Sequence, residues 1–252
     1  MKIPKSVSEI VSVAFQPILH LETGAVYGYQ ALGRGPAPPS ALLDEAAREG
    51  WLLALDWLWR VTAIEEIAAR PIGDKARFFL NVDLRILEDP SFAPSDTIAL
   101  LARHNLAPNR FALQLSAHGL SRAPAPLQLV DHFRAQHFLI ALDSIGAGFS
   151  SLDTIALVRP DIVKLDMTLI RGALHNPLRM EVVCAIIDHC ARGDLPLIAE
   201  GVEVAEDLRA LAQLGIRLGQ GFLLGRPIAV VDRPRFEHYP VAQNDASMLE
   251  SR

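Results

Sequence analysis

Polar side chains recur at the ends of short apolar runs along this chain, and their types suit acid–base, metal or anion chemistry. They are Asn81 and Asp83, Gln114 and Ser116, Asp143 and Ser144, Lys164 and Asp166, Glu200 and Glu203, and finally Gln220. Any one of them could cap the helix or turn that follows it. If the runs are parallel strands, their carboxyl ends meet at one rim, and the repetition then favours a shared functional site.

The apolar runs alternate with longer amphipathic segments, which is typical of strands followed by helices. The pattern predicts strands at 13–18, 26–32, 77–82, 111–116, 139–143, 162–165 and 196–199, with a weak one near Leu218. The predicted helices include 40–49, 53–70, 126–136, 177–192 and 205–214. Eight strands in about 240 residues predict a single α/β domain with a TIM-type (β/α)8 barrel. We expect residues 1–12 to be an N-terminal segment, 13–238 the barrel domain and 239–252 a polar tail.

The composition excludes several classes of protein. The 252 residues are 50% hydrophobic with a formal net charge of -5, which speaks against disorder and against a binder of nucleic acid polymers. The apolar stretch 51–59 is interrupted by Asp56 and is too short for a membrane span. Because the first ten residues lack the apolar region of a signal peptide, we expect a cytoplasmic protein without a membrane partner. Cys184 and Cys190 have no CxxC neighbours, so neither a disulfide nor a zinc site is expected.

Eight short segments, in order along the chain, carry a resemblance to a known family. They are FQPI (15–18), GYQALGRG (28–35), FFLNVD (78–83), LQLSA (113–117), LDSIGAGFSSL (142–152), VKLD (163–166), AEGVE (199–203) and GQGFLLGRP (219–227). Together they resemble the EAL domain, the family of cyclic di-GMP phosphodiesterases and receptors. The resemblance implies a barrel of the TIM type and a role in cyclic di-GMP signalling.

In active members of that family, two divalent cations, usually magnesium or manganese, activate the water that attacks a phosphodiester of cyclic di-GMP. Such hard cations need oxygen ligands, mostly carboxylates. The resemblance places Gln30, Gln114 and Ser144 at three positions where the family has metal-binding carboxylates, and Ala117 replaces a further acid. We therefore expect a degenerate active site that needs no cofactor, with Mg or Mn involved only if residual phosphodiesterase activity exists.

The resemblance also assigns the residues that remain. Lys164 and Glu200 match the catalytic base or water-orienting groups, and Asn81, Asp143 and Glu200 are the remnant metal positions. Arg34 matches the arginine that meets a phosphate, a task that suits a bidentate guanidinium. The other expected ligand-binding positions are Gln16, Gln30, Leu32, Asn81, Asp143, Asp166, Gln220, Phe222 and Pro227.

Three functions follow from this site. The leading hypothesis is a catalytically inactive receptor that binds cyclic di-GMP and passes the signal to an unidentified partner protein, with a homodimer as a further possibility. The second is a regulator that no longer binds the nucleotide and acts by protein contact. The third is a weak metal-dependent cyclic di-GMP phosphodiesterase that uses Asp143, Asn81 and Glu200 around a single metal.

Overall fold

The computed structural model describes residues 3–70, 75–116, 120, 126–145 and 152–229, and the strands in these ranges form one closed eight-stranded barrel. The strands are β1 (Ser12–His20), β2 (Val26–Arg34), β3 (Arg77–Val82), β4 (Phe111–Ser116), β5 (Leu139–Ile145), β6 (Ile162–Asp166), β7 (Leu197–Glu200) and β8 (Leu218–Gln220). The predicted TIM-type barrel is confirmed, and the predicted strand ends agree to within a few residues.

Helices follow most of the strands and cover the outside of the barrel. They are α1 (Lys5–Ser8), α2 (Pro39–Glu49), α3 (Leu52–Ala68), α4 (Pro94–Arg103), α5 (Pro126–Ala135), α6 (Leu152–Val158), α7 (Met167–Ala173), α8 (Pro177–Arg192) and α9 (Ala205–Gln213). Two short 3₁₀ helices lie at Leu84–Glu88 and Pro108–Arg110. Among the described residues, no helix is both long enough and apolar enough to cross a membrane. The predicted polar tail, residues 239–252, lies outside the described residues.

The barrel departs from a regular (β/α)8 arrangement at its start. Strand β1 runs antiparallel to both β2 and β8, whereas all the other neighbouring strands are parallel. A tight turn joins β1 to β2, and Gly24 takes a φ of +68° there, a conformation that glycine adopts without strain. The register sets Gln16 of β1 directly opposite Gln30 of β2, so their side chains share one face of the sheet.

Side-chain alternation divides the buried core into two layers. Phe78 points out to the helices, and Phe79 points into the barrel. The inner layer consists of Ile18, Tyr27, Phe79, Ala112, Ala141, Ile162, Ile198 and Leu218. Side chains alternate between the two faces of a strand, so Asn81, two residues after Phe79, also points into the barrel and lies nearer the carboxyl end of β3. The polar side chains at the carboxyl ends of the strands therefore lie directly above a layer of apolar side chains that fills the barrel interior.

Candidate ligand site

Every strand of the barrel contributes one polar side chain to a single site. In strand order these are Gln16, Gln30, Asn81, Gln114, Asp143, Lys164, Glu200 and Gln220. Register pairs Asn81 with Gln114 and Glu200 with Gln220, which brings neighbouring members to one level. The structure thus joins at one rim most of the polar residues that the sequence singled out.

Lys164 is the centre of this site and is fully buried, with 0% of its surface exposed. Its Nζ donates to Gln30 Oε1 over 3.1 Å and to Gln114 Oε1 over 3.0 Å, and it forms an ion pair with Glu200. An ammonium group has three N–H donors and no acceptor, so these three oxygens account for all of its hydrogen bonds. The amide oxygens of both glutamines are therefore turned towards a resident cation.

The amide nitrogens of the same glutamines point to the neighbouring strands. Gln30 Nε2 donates to Asn81 Oδ1 over 3.2 Å, and Gln114 Nε2 donates to Asp143 Oδ2 over 2.5 Å. At the rim, each glutamine thus offers N–H donors rather than oxygen ligands. An ionised glutamate at the same place would present only acceptor oxygens.

Gln220 and Gln16 close the network on the other side. Gln220 Nε2 donates to Gln30 Oε1 over 2.6 Å and to Gln16 Oε1 over 3.1 Å. Gln16 Nε2 in turn donates to the carbonyl of Gly225 over 3.0 Å, which ties the segment after β8 to β1. All four glutamines are buried, and we call Gln16, Gln30, Gln114 and Gln220 the glutamine network.

Two carboxyl groups, Asp143 and Glu200, complete the site, and the site shifts their pKa values in opposite directions. Burial raises the pKa of Glu200 to about 8, and Lys164 opposes this shift. The charge of Asp143 and a hydrogen bond between the two carboxyl groups raise the pKa of Glu200 further. Burial acts to raise the pKa of Asp143 as well, but Lys164 and hydrogen bonds from its neighbours outweigh burial and hold that pKa below its usual value. The site therefore favours a proton on Glu200 over one on Asp143.

Two divalent cations do not fit this set of donors. The oxygens of Gln30 and Gln114 are engaged by Lys164, and a buried ammonium repels a second cation placed beside it. In the part of the chain that the structure describes, no three His, Cys, Asp or Glu side chains are grouped to hold a metal. Two oxygens of the site, Asp143 Oδ1 and Gln220 Oε1, are buried and have no hydrogen-bond partner within the described ranges. They are suited to accept N–H or O–H groups of a ligand.

A pocket of about 110 Å³ lies beside the glutamine network, and we call it the Arg34 pocket. Leu32, Gly33, Arg34, Trp59 and Asn81 are among its lining residues. Trp59 Nε1 donates to the carbonyl of Arg34 over 3.1 Å, and a Cβ on Gly33 would lie 2.3 Å from the indole ring. The glycine therefore lets the indole pack against the strand. This packing holds the Arg34 backbone at the edge of the rim.

A buried ion pair behind this pocket escaped the sequence analysis. Asp56 pairs with Arg60 one turn later on α3, and Asp56 Oδ1 accepts from the backbone N–H of Asp83 over 3.3 Å. Arg60 also donates to Thr97 Oγ1 over 3.0 Å. Burial raises the pKa of Asp56, and Arg60 opposes the shift. The sequence held a signal for this pair, because opposite charges four residues apart interrupt an otherwise apolar helix.

Three predicted ligand positions lie outside both the glutamine network and the Arg34 pocket. Asp166 Oδ1 accepts from the backbone N–H of Thr168 over 2.6 Å, so this side chain caps α7. Phe222 is 51% exposed, and the guanidinium of Arg226 lies 4.8 Å from its ring centre. Pro227 is half-buried after β8. Ala117 and the glycine loop at 146–148 lie outside the described residues.

Comparison with known proteins identifies the family. The sequence model described as the EAL domain matches residues 6–227, and the chain belongs to this family. It is 28% identical over 225 residues to the cyclic di-GMP phosphodiesterase RocR of Pseudomonas aeruginosa, a match that covers 85% of this chain and 56% of RocR. It is also 28% identical to MucR of the same species, a bifunctional diguanylate cyclase and cyclic di-GMP phosphodiesterase, over 85% of this chain and 32% of MucR. The chain spans roughly a quarter to just over half of the first curated relatives that it matches.

Solved structures show the same fold. The MucR phosphodiesterase in complex with c-di-GMP has a TM-score of 0.76 and 24% identity, covering 87% of this chain and 92% of that one. A manganese and cyclic di-GMP complex of Klebsiella pneumoniae BlrP1 has a TM-score of 0.79 and 24% identity, covering 90% of this chain and 58% of that one. At these identities the likeness extends to the barrel architecture alone.

Proposed function

We propose that this EAL domain binds cyclic di-GMP as a catalytically inactive receptor. The observation that carries the proposal is the ring of oxygens around Lys164. Gln30 and Gln114, which replace metal-binding carboxylates in the family pattern, give their amide oxygens to a buried ammonium. A water held between two metals has no place in such a site, because the Gln30 and Gln114 oxygens that would help to hold the metals already accept from Lys164.

The other half of the proposal concerns the ligand. Cyclic di-GMP is a dianion with two guanines, so it needs a cation, acceptors for guanine N–H groups, and apolar or aromatic surface. Arg34 supplies a bidentate cation at the rim, and Trp59 and Leu32 supply surface in the same pocket. Asp143 Oδ1 and Gln220 Oε1 supply acceptors that have no hydrogen-bond partner among the described residues. These features together support binding without turnover.

Replacing Arg34 tests the binding directly. In a titration with cyclic di-GMP, Arg34→Ala should weaken binding by roughly tenfold or more, the effect of losing one charge-assisted contact. The matched control is Arg48→Ala, because Arg48 is exposed on α2 and lies outside the site. Equal affinities for the two variants would overturn the role of Arg34, and no binding by the unaltered protein would overturn the receptor proposal.

A second candidate function, regulation by protein contact alone, is favoured by an uncovered apolar stripe. Leu178 and Val182 lie one turn apart on α8, and Leu174 lies in the turn before this helix. The three side chains, 74%, 43% and 47% exposed in that order, form this stripe. This stripe is suited to an unidentified partner protein or to a second copy of the chain. Leu178→Glu should then abolish self-association or partner capture while leaving cyclic di-GMP binding unchanged. A variant that associates as the unaltered protein does would contradict this use of the stripe.

The receptor proposal includes a cytoplasmic location. The third candidate function is a weak phosphodiesterase that uses a single metal. The hydrolytic alternative predicts linear dinucleotide when Mg²⁺ or Mn²⁺ is added. The pKa of Asp143 is lowered while that of Glu200 is raised, so Asp143 is the better anionic ligand for a metal, and any such activity should disappear in Asp143→Asn.

A further inference from the structure

A second concave surface lies at the opposite end of the barrel. Its lining includes Lys75, Arg77, Asn105, Asn109 and Arg110, and its volume is about 670 Å³. We call it the basic pocket. Arg77 is the first residue of β3 and Asn81 is the fifth, so along this strand the pocket and the rim are roughly 13 Å apart at about 3.3 Å per residue. The two surfaces are therefore distinct.

The charge of the basic pocket is opposite to that of the chain. Three cationic side chains and two amides line it, and none of its described lining residues is acidic, whereas the whole chain has a net charge of -5. Asp74, the acid nearest along the sequence, lies outside the described residues. Because cations that share one concave surface raise the local concentration of anions, the pocket favours a negatively charged ligand.

Two of the cations are held in position by aromatic rings. The guanidinium of Arg77 lies 4.7 Å from the ring centre of Tyr27, and that of Arg110 lies 5.3 Å from the ring centre of Phe78. Arg110 Nε also donates to the carbonyl of Ala76 over 3.4 Å. Contacts of this kind reduce the freedom of a guanidinium before a ligand arrives, so less entropy is lost on binding.

The lining chemistry selects among anions. Guanidinium groups match the paired oxygens of phosphate in a bidentate way, and amide N–H groups add neutral donors. A volume of about 670 Å³ also falls within the usual range for small-molecule sites. We propose that the basic pocket binds a small phosphate-bearing anion, independently of any ligand at the rim.

The test titrates pyrophosphate into the full chain, with inorganic phosphate and acetate as comparison anions. Pyrophosphate should bind at one site, more tightly than inorganic phosphate, because two phosphate groups meet more of the three cations. Acetate should not bind at the same concentration. Lys75→Gln should weaken pyrophosphate binding by about tenfold, the effect of one charge-assisted contact. Lys75 is exposed, so we expect Lys75→Gln to fold normally. It is therefore a safer test than Arg77→Gln, which also loses the contact with the Tyr27 ring.

Two controls separate the pocket from general charge effects and from the rim. Arg103→Gln removes an exposed cation at the end of α4, outside the pocket, and should leave pyrophosphate affinity unchanged. Arg34→Ala should leave it unchanged as well. The proposal is overturned if pyrophosphate does not bind, if Arg103→Gln weakens binding as much as Lys75→Gln, or if Arg34→Ala abolishes binding.

Discussion

Lys164 Nζ on β6 donates to Gln114 Oε1 on β4 over 3.0 Å, so the two side chains meet across the intervening strand β5. The amide nitrogen of Gln114 completes the bridge by donating to Asp143 on β5. A glutamate in place of Gln114 could form the ion pair with Lys164 but could not donate to Asp143. The bridge therefore requires the neutral amide, which links three neighbouring strands by hydrogen bonds.

Carboxylates introduced at three positions of the site should create a metal site. The triple variant Gln30→Glu, Gln114→Glu and Ser144→Asp adds three negative charges around Asp143, which removes the amide donors and supplies the oxygen ligands that Mg²⁺ or Mn²⁺ requires. Ser144 has a φ of +56°, a conformation that aspartate tolerates better than most residues. We expect metal binding by calorimetry and slow formation of linear dinucleotide from cyclic di-GMP.

The single variant Gln30→Glu is the matched control for the triple variant and should bind metal far more weakly. If the triple variant is folded but gains neither metal affinity nor turnover, the assignment of these three positions is wrong.

The stability of the protein should fall as pH rises through the range in which Glu200 holds its proton. Burial raises the pKa of Glu200 from 4.5 to about 8, so the folded state binds the proton more tightly than the unfolded chain. Stability from this group is complete below pH 4.5 and is lost as pH rises towards about 8, with an upper limit of about 5 kcal/mol.

Glu200→Gln mimics the protonated side chain and should flatten this profile between pH 5 and 8, measured by urea unfolding at about one-unit steps. Glu206→Gln, on an exposed side chain of α9, should keep the profile of the unaltered protein. Parallel profiles for Glu200→Gln and the unaltered protein would show that Glu200 is already ionised in the folded state.

The ion pair behind the Arg34 pocket should be sensitive to the loss of one partner. Arg60→Met leaves Asp56 as a buried carboxylate without its cation, and we expect a loss of about 3–5 kcal/mol in the free energy of unfolding. The double variant Asp56→Leu with Arg60→Met removes both charges and should recover part of that loss. Arg70→Met, at the half-buried pair with Glu66, is the control and should change stability by less than about 1 kcal/mol. A double variant no more stable than Arg60→Met would argue against an electrostatic origin.

The strands and the rim could be predicted because strand periodicity and the positions of polar residues are local properties of the sequence. Asn81 lies two residues after Phe79, so one inward apolar residue predicts the inward polar one. The turn between β1 and β2 is also a local feature, because Gly24 follows two polar residues between two apolar runs. Its consequence, an antiparallel β1 within the barrel, depends on how β1 meets β8, and that contact is not encoded locally.

The direction of the glutamine amides could not be predicted from the sequence. Gln30 and Gln114 can each present either oxygen or nitrogen, and the choice depends on Lys164, which is 134 residues from Gln30 and 50 from Gln114. The role of Asp166 could not be predicted either, because an aspartate at the end of a strand suits both a helix cap and a ligand site. Residue types locate the site, and long-range hydrogen bonds decide its polarity.

The central claim is that the protein binds cyclic di-GMP without a metal and without hydrolysing it. Isothermal titration with cyclic di-GMP, in EDTA and again in Mg²⁺, tests this most directly. The nucleotide is then recovered and separated by chromatography. Because Arg34 supplies the cation for the nucleotide and Lys164 engages the Gln30 and Gln114 oxygens, we predict the same affinity in both conditions and recovery of the intact cyclic nucleotide. Binding that requires Mg²⁺, or linear dinucleotide in the Mg²⁺ sample alone, would contradict the account of a metal-free receptor.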